Sequence, residues 1–204
     1  MIVALDLDGV FRDFLGTLIK QFKIDYPHLA FQIPQSEREI TTWSLEEFWP
    51  KGWTDEMLSD YFSRKRVRQI YANAAPYLGA IQGYQNIRRY CTKNGHKLII
   101  ITSARKPLVQ LANWNWLSKN NFLKSIDNVY MRKDKYNVPA DILLDDAVHN
   151  LKEWQLMPAV SFPGKRVSVC FNRAWNQDYS GIRVWNYDQF LLLLRGVEQK
   201  VKAI

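Results

Sequence analysis

The stretch IVALDLDGVFRDF, residues 2–14, decides the fold. It begins with an apolar run, residues 2–5, and then places two carboxylates, Asp6 and Asp8, before Gly9. An apolar run of this kind is typical of a strand that is buried on both faces of a sheet. Acids that close such a strand are either exposed at its end or held there for chemistry, and the rest of the sequence has to decide between the two.

Composition limits the class of protein. The 204 residues are 47% hydrophobic, which suits one globular domain with an insertion. No apolar run approaches the roughly 18 residues of a membrane span, and the early acids argue against a signal peptide. We therefore expect no membrane partner. Cys91 and Cys170 form no CxxC pair, which disfavours a zinc site or a disulfide, so we expect a cytoplasmic protein. The net charge of +8 suits phosphate-bearing partners, but many soluble proteins are equally basic.

Strand and helix patterns alternate along most of the chain, which predicts an α/β fold with a central parallel sheet of about five strands. We expect the first strand to be central and helices to cover both faces. The predicted helices are 79–94, 107–121 and 187–202. Gly95 ends the first of them, and Pro107 begins the second. The strand candidates are 2–6, 97–102, 126–131, 141–145, 159–162 and 167–171.

One segment, residues 14–78, interrupts this alternation. It contains no convincing strand, is rich in aromatic residues, and far exceeds the dozen residues that a crossover needs. Thr54, followed by Asp55 and Glu56, gives one of its helices a capped, acidic start. We therefore predict a small helical cap at 14–78, inserted into a core domain formed by residues 1–13 and 79–204.

The candidate functional residues all follow predicted strands. In an open parallel sheet, ligands bind beyond the carboxyl ends of the strands. These ends supply carboxylates, hydroxyls and an ammonium, namely Asp6, Asp8, Thr102, Ser103, Lys135, Asp145 and Asp146.

Each of these residues also has an ordinary interpretation. Asp-Gly is common in turns, Thr102 and Ser103 can cap the next helix, and a lysine is usually a surface residue. A calcium loop fails, because Val10 occupies its fifth position and no acid closes it. The adjacent pair Asp145 and Asp146 is stronger evidence, since two neighbouring acids repel unless a cation lies between them.

The order of these groups favours phosphoryl transfer. Hard oxygen ligands collect Mg²⁺, while an ammonium and a hydroxyl orient a phosphate. One carboxylate can attack phosphorus and form an aspartyl-phosphate, and a second can exchange protons with the leaving oxygen and with water.

On these residues the chain resembles the haloacid dehalogenase-like (HAD) phosphatases. DLDGV is similar to their first motif, and the TS at the end of strand 97–102 is similar to the second. Lys135 is similar to the third motif, and LLDDAVHN is similar to the fourth. The resemblance covers nearly the whole chain and implies a Rossmann-like HAD fold with a cap.

Within that superfamily the chain resembles the 5′(3′)-deoxyribonucleotidase group. The segments that carry this resemblance are DGVFRDF, RKDKYNVPADILLDDAVHNLKEW, FNRAWNQ and RVWNYDQFL. The resemblance implies Asp6 as nucleophile and Asp8 as general acid and base. It implies Mg²⁺ on Asp6, the Asp8 backbone carbonyl and Asp146, with Asp145 adjacent. Thr102 and Lys135 would hold the phosphoryl group with Ser103 and Lys106 nearby, and Phe14 would lie against the nucleobase.

Two features depart from the family pattern. Arg12 stands where a small residue is expected, and we place it near the substrate entrance. The insertion around TTWSLEEFWPKGW aligns poorly with the family. Its tryptophans, Trp43, Trp49 and Trp53, could stack on a base, although packing within the cap is the commoner use of aromatic residues. Of the two tryptophans on helix 107–121, we expect Trp116 to be in the core.

Three functions follow, in order of preference. The first is a Mg²⁺-dependent phosphatase of nucleoside monophosphates. The second is a phosphatase of nucleic-acid 3′ or 5′ ends, with the basic segment 63–68 as a contact, although that segment also fits a solvated helix face. The third is a binding protein that retains the fold. A homodimer is compatible with all three.

Overall fold

A six-stranded parallel sheet forms the centre of the protein. The computed structural model describes residues 1–124 and 126–202, the last by its backbone. The strand order is β3-β2-β1-β4-β5-β6, so the predicted parallel sheet with an interior first strand is confirmed, with six strands where about five were expected. The strands are β1 (Ile2–Leu5), β2 (Lys97–Thr102), β3 (Asn128–Met131), β4 (Ile142–Asp145), β5 (Val167–Phe171) and β6 (Ile182–Val184).

The interior strands are apolar because both faces of the sheet are covered. Along β1, Val3 and Leu5 belong to the apolar cluster on one face, whereas Ala4 belongs to the cluster on the other. This two-residue alternation places Asp6 and everything after it at the carboxyl edge of the sheet.

Four helices cover the sheet: α3 (Ala80–Lys93), α4 (Pro107–Lys119), α5 (Val148–Trp154) and α6 (Tyr187–Lys202). The predictions for α3, α4 and α6 are confirmed, including the left-handed Gly95 (φ 66°) after α3 and the proline that begins α4. Trp116 on α4 is fully buried, as expected, whereas Trp114 is 44% exposed. Helix α5 has no counterpart in the sequence prediction.

Two strand assignments were wrong. Residues 159–162 form a turn between Pro158 and Lys165, which share an isolated antiparallel bridge. The Asp141 carboxylate accepts hydrogen bonds from the backbone N–H groups of Val160 and Ser161, which fixes that turn. The sixth strand, Ile182–Val184, was missed because three residues at a sheet edge give too short a pattern to detect.

The insertion, residues 14–78, is helical and strand-free as predicted. It contains α1 (Phe14–Asp25), α2 (Asp55–Asp60), π-helical segments Tyr61–Lys65 and Arg68–Ala72, and several 3₁₀ turns. Thr54 caps α2, its hydroxyl accepting the Met57 N–H at 3.3 Å. The division into a core and a cap domain stays a prediction.

The insertion has its own apolar cluster, which includes Leu18, Phe22, Trp49 and Tyr61. The same cluster takes in Ala104, Val109 and Ala112 from the start of α4 and the turn before it, so the insertion packs against that end of the core. Among residues 1–124 and 126–202, no helix combines the length and the apolar character needed to cross a bilayer.

Helix α3 approaches Tyr187 of α6 through Gly83, where an added Cβ would overlap the Tyr187 ring. Tyr187 in turn stacks on Phe11 with ring centroids 5.1 Å apart and donates its hydroxyl hydrogen to the Val10 carbonyl at 2.8 Å. This contact therefore supports the loop that follows β1.

We expect Gly83→Ala to lower the free energy of unfolding by about 1–3 kcal/mol, because the methyl group overpacks this contact. Gly196→Ala on α6 is the matched control. A Cβ there meets nothing within 4 Å, so this substitution should stabilise the helix by about 0.5–1 kcal/mol. Urea denaturation of the two variants measures both values, and equal effects would contradict the packing described.

Candidate active site

The carboxyl ends of three neighbouring strands bring the polar residues to one point. Asp6 follows β1, Thr102 ends β2, and Asp145 ends β4. Lys135 begins a short 3₁₀ helix after β3. All four residues are at least 95% buried, as is Asp146. These acids are therefore not exposed strand ends, and a buried charge requires a partner.

Lys135 is the cation at the centre of this group. Its Nζ lies 2.9 Å from Asp6 Oδ1 and 2.7 Å from Asp145 Oδ2. The Asp145 carboxylate also accepts the Ala147 N–H at 2.8 Å and the Asn150 amide at 3.1 Å. These three donors fix the Asp145 carboxylate, which in turn holds Lys135 beside Asp6.

Negative charge exceeds positive charge in this buried cluster. Burial raises the pKa of Asp6 to about 7, repulsion from Asp145 and Asp8 adds to the effect, and Lys135 opposes it. Burial, followed by repulsion from Asp145 and Asp6, also raises the pKa of Asp146 well above its usual range. A bound divalent cation would relieve both shifts.

The geometry of the acids fits such a cation. Asp6, Asp145 and Asp146 each present a carboxylate oxygen, and these oxygens lie within 4.8 Å of one another. An all-oxygen set of this kind suits a hard ion such as Mg²⁺.

Two residues that the sequence analysis did not assign to the site support Asp146. Trp175 donates its indole N–H to Asp146 Oδ2 at 2.8 Å, and Asn176 donates to the Asp146 carbonyl at 2.9 Å. Both lie about 30 residues further along the chain, after β5, so no local pattern indicates the contact. The only available signal was the resemblance of the segment FNRAWNQ.

The loop after β1 passes directly against Asp146. Gly9 has φ 69°, and a Cβ at this position would overlap the Asp146 carboxylate. The glycine of the DG pair is thus required both by its left-handed backbone and by this close approach.

Asp8 lines the cavity above the buried acids, with 30% of its side chain exposed. Both of its oxygens accept hydrogen bonds from Arg12, from Nε at 2.7 Å and from Nη2 at 2.9 Å. Arg12 is fully buried and does not line the cavity. The expectation that Arg12 lies at the substrate entrance is therefore wrong, because its side chain turns inward to Asp8.

Thr102 and Ser103 both line the cavity. The Thr102 hydroxyl is buried and has no hydrogen-bond partner within the described part of the chain. It is therefore free to bind a ligand oxygen. Lys106, expected nearby, does not line the cavity; its Nζ donates to Ser63 Oγ at 2.6 Å and joins the start of α4 to the insertion.

The cavity above these groups has a volume of about 280 Å³. The insertion supplies an apolar and aromatic wall that includes Phe14, with Phe62 and Tyr71 packed against it at centroid distances of 5.5 and 5.1 Å. Phe62 and Tyr71 both come from the π-helical segments, a distortion often found at functional sites.

The three tryptophans of the insertion have different environments. Trp49 is buried, and Trp53 packs on Phe22 with centroids 4.8 Å apart, so both belong to the insertion's own core. Trp43 is 56% exposed, lines the cavity and meets the His149 ring at 5.3 Å. Of these three tryptophans, Trp43 is the one that lines the cavity and is placed to contact a ligand.

The basic segment 63–68 does not line the cavity. Arg64, Lys65 and Arg68 are exposed, and Arg66 pairs with Asp25 at 2.6 Å. Its charges are thus distributed as on a solvated helix face.

Comparisons with known proteins agree with this geometry. A family model described as 5′ nucleotidase, deoxy (pyrimidine), cytosolic type C protein matches residues 1–198. The chain is 24% identical over 190 residues to a 5′(3′)-deoxyribonucleotidase of Bacillus subtilis, covering 92% of this chain and 95% of the relative. It is 23% identical over 148 residues to the mitochondrial 5′(3′)-deoxyribonucleotidase of Mus musculus, covering 71% and 63%.

Solved structures show the same fold. The HAD-hydrolase YfnB from Bacillus subtilis, crystallised bound to magnesium, superposes with a TM-score of 0.60 at 12% identity, covering 95% of this chain and 98% of that one. A hydrolase from Pseudomonas syringae gives a TM-score of 0.52 at 18% identity, covering 96% and 99%.

The raised pKa of Asp6 has a consequence for stability. Its folded pKa, about 7, exceeds the usual 3.8, so the folded state binds this proton more tightly than the unfolded chain does. Stability of the metal-free protein therefore falls as the pH rises between these two values. We expect Asp6→Asn to raise the free energy of unfolding at pH 8 by about 2–4 kcal/mol, and by less at pH 5.

Asp141→Asn is the matched control, since Asp141 is also a buried acid. Burial acts to raise its pKa, but hydrogen bonds from Ser161, Ile2 and Val160 outweigh this and lower it. This variant should lose stability at pH 8. Denaturant titrations in EDTA at both pH values measure the effects, and a destabilised Asp6→Asn protein at pH 8 would contradict the charge imbalance.

Proposed function

We propose, because the chain belongs to the 5′ nucleotidase, deoxy (pyrimidine), cytosolic type C protein family, that it removes phosphate from nucleoside monophosphates, deoxyribonucleotides first among them. The enzyme class that follows from the family is a phosphoric monoester hydrolase of the 5′-nucleotidase type. The curated relatives bear the name 5′(3′)-deoxyribonucleotidase, which supports this substrate class.

One observation carries the proposal. One small cavity is lined both by the buried cluster Asp6, Lys135 and Asp146 with the free Thr102 hydroxyl and by an aromatic wall around Phe14. A nucleotide has the matching polarity, with an anionic phosphate at one end and a flat base at the other. Apolar walls with few, well-placed polar groups are typical of small-molecule sites.

The acid cluster suits Mg²⁺, which Asp6, Asp146 and the Asp8 backbone carbonyl would hold, with Asp145 adjacent. Once bound, the ion supplies positive charge that neutralises the phosphoryl oxygens and the carboxylates around it. Lys135, held by Asp145, adds a second positive charge on the same side of the cavity.

The first half of the reaction forms an aspartyl-phosphate. An Asp6 oxygen attacks phosphorus, a new carboxylate O–P bond forms, and the bond from phosphorus to the sugar oxygen breaks. Asp8 donates its proton to that departing oxygen. Thr102 and Lys135 hold the phosphoryl oxygens, with Ser103 at the cavity wall.

The second half returns the enzyme to its starting state. Asp8, now a carboxylate, takes a proton from a water molecule, and that water attacks phosphorus. The bond to Asp6 breaks, inorganic phosphate leaves, and Asp8 carries the proton for the next cycle. The insertion limits the access of bulk water to this site.

The enclosed cavity favours mononucleotides over nucleic-acid ends. The insertion covers the site, and the exposed basic residues of segment 63–68 lie outside the cavity. The net charge of +8 does not by itself identify a polymer substrate.

Phosphate release across a panel of ribo- and deoxyribonucleoside monophosphates tests the function. We expect release that depends on Mg²⁺ and stops in EDTA, and a kcat for Asp6→Asn lower by about 10⁴-fold or more, because the nucleophile is lost. A 3′-phosphorylated oligonucleotide serves as the alternative substrate. No release from any mononucleotide, or faster release from the oligonucleotide, would sink the proposal.

Trp43→Ala tests the ligand-facing wall of the insertion. Loss of one stacking surface should raise KM about 5–50-fold with little change in kcat, since stacking contributes about 1–3 kcal/mol. Trp114→Ala removes another exposed tryptophan, on α4, that does not line the cavity, and should leave KM unchanged. Steady-state kinetics compare the two, and equal KM values would exclude Trp43 from substrate binding.

A further inference from the structure

Arg12 is among the largest fully buried side chains of the protein. Its guanidinium carbon lies 5.0 Å from the centroid of the Tyr71 ring and 5.5 Å from that of Trp116. Nη1 donates to Asn113 Oδ1 at 2.8 Å and, at 3.4 Å, to the Tyr71 carbonyl. The insertion and α4 thus hold this guanidinium in one position.

The remaining nitrogens of Arg12 point at Asp8. Nε and Nη2 bind one carboxylate oxygen each, at 2.7 and 2.9 Å, a two-bond arrangement that fixes the plane of the carboxylate. The backbone closes the same loop, since the Arg12 N–H donates to the Leu7 carbonyl at 2.9 Å and the Gly9 N–H donates to the Arg12 carbonyl at 3.2 Å.

Asp8 would otherwise be free to turn. Its side chain is 30% exposed and lines the cavity, where a carboxylate samples several rotamers. An ionised carboxylate has about four acceptor positions, of which Arg12 occupies two. The other two remain available on the cavity side for a proton exchanged with substrate or water.

A purely structural explanation accounts for less of this arrangement. An apolar side chain would fill the space between Tyr71 and Trp116 without the desolvation cost of a buried guanidinium. Here a fully buried cation is paired with an acid that is partly exposed to the cavity. This pairing is better explained by a role of the acid in the cavity.

We propose that Arg12 is a positioning residue for the reaction described above: it holds the Asp8 carboxylate in the orientation from which protons pass to the leaving oxygen and from water. This inference rests on the proposed function.

The test separates proton transfer from phosphoryl transfer. A nucleoside leaves as an alkoxide and needs a proton, whereas p-nitrophenolate leaves without one. We expect Arg12→Met to lower kcat for a deoxyribonucleoside monophosphate by about 100-fold. The first turnover of p-nitrophenyl phosphate, followed as the burst of nitrophenolate in rapid-mixing experiments, should stay within about three-fold of the wild-type rate.

Three further variants sharpen the test. Arg12→Lys keeps the charge but cannot form the two-bond contact, so it should show the same selective defect. The double variant Arg12→Met with Asp8→Asn should be no slower on nucleotides than Asp8→Asn alone. Arg166→Met is the matched control, because Arg166 is a buried arginine that packs on Trp154 at 4.5 Å, away from the cavity. It should leave both rates unchanged.

Each outcome bears on the proposal. Nucleotide turnover by Arg12→Met at the wild-type rate would overturn it, as would an equal loss in both assays, since that loss shows a displaced Asp6. If thermal melts show that Arg12→Met does not fold, Asn113→Ala decides, because it removes only the group that braces the guanidinium. It should show the same selective loss, and unchanged rates would overturn the proposal. A wild-type protein inactive on every nucleotide would instead refute the proposed function itself.

Discussion

The arrangement of the protein depends on two buried carboxylates that share one buried ammonium, with a third buried carboxylate beside them. Lys135 contacts Asp6 and Asp145 directly, and Asp146 lies close enough to share a cation with them. Such a cluster is costly in the absence of a counter-ion, as the raised pKa values of Asp6 and Asp146 show. An excess of buried negative charge of this kind is what a site needs to bind a cation together with a phosphate.

The sheet topology makes that cluster accessible to every motif. Since β1 lies between β2 and β4, the residues after these three strands converge on one edge. The tight loop after β1 then brings Gly9 against Asp146 and turns Arg12 back onto Asp8. A short segment of sequence thus supplies the predicted nucleophile, the predicted acid and base, and the contact that fixes the latter.

The helical insertion converts an open sheet edge into a cavity. Its apolar cluster extends to the start of α4, and its π-helical segments direct Phe62 and Tyr71 to the site. Lys106 takes part in this contact by binding Ser63, whereas Lys135 lies among the buried acids. The nearness of Lys106 to Thr102 and Ser103 in the sequence therefore did not determine which lysine lines the cavity.

The sequence by itself determined the parallel α/β fold, the place of β1 inside the sheet, the helical insertion, and the set of acids, hydroxyls and lysine that end the strands. These follow from local patterns, since burial on two faces demands apolar strands and leaves polar residues only at their ends. Tertiary structure alone decided the inward turn of Arg12, the support of Asp146 by Trp175 and Asn176, and the selection of Trp43 from three tryptophans. The physical reason is that each of these depends on packing between segments 29 to 106 residues apart, and no local pattern records which side chain meets which.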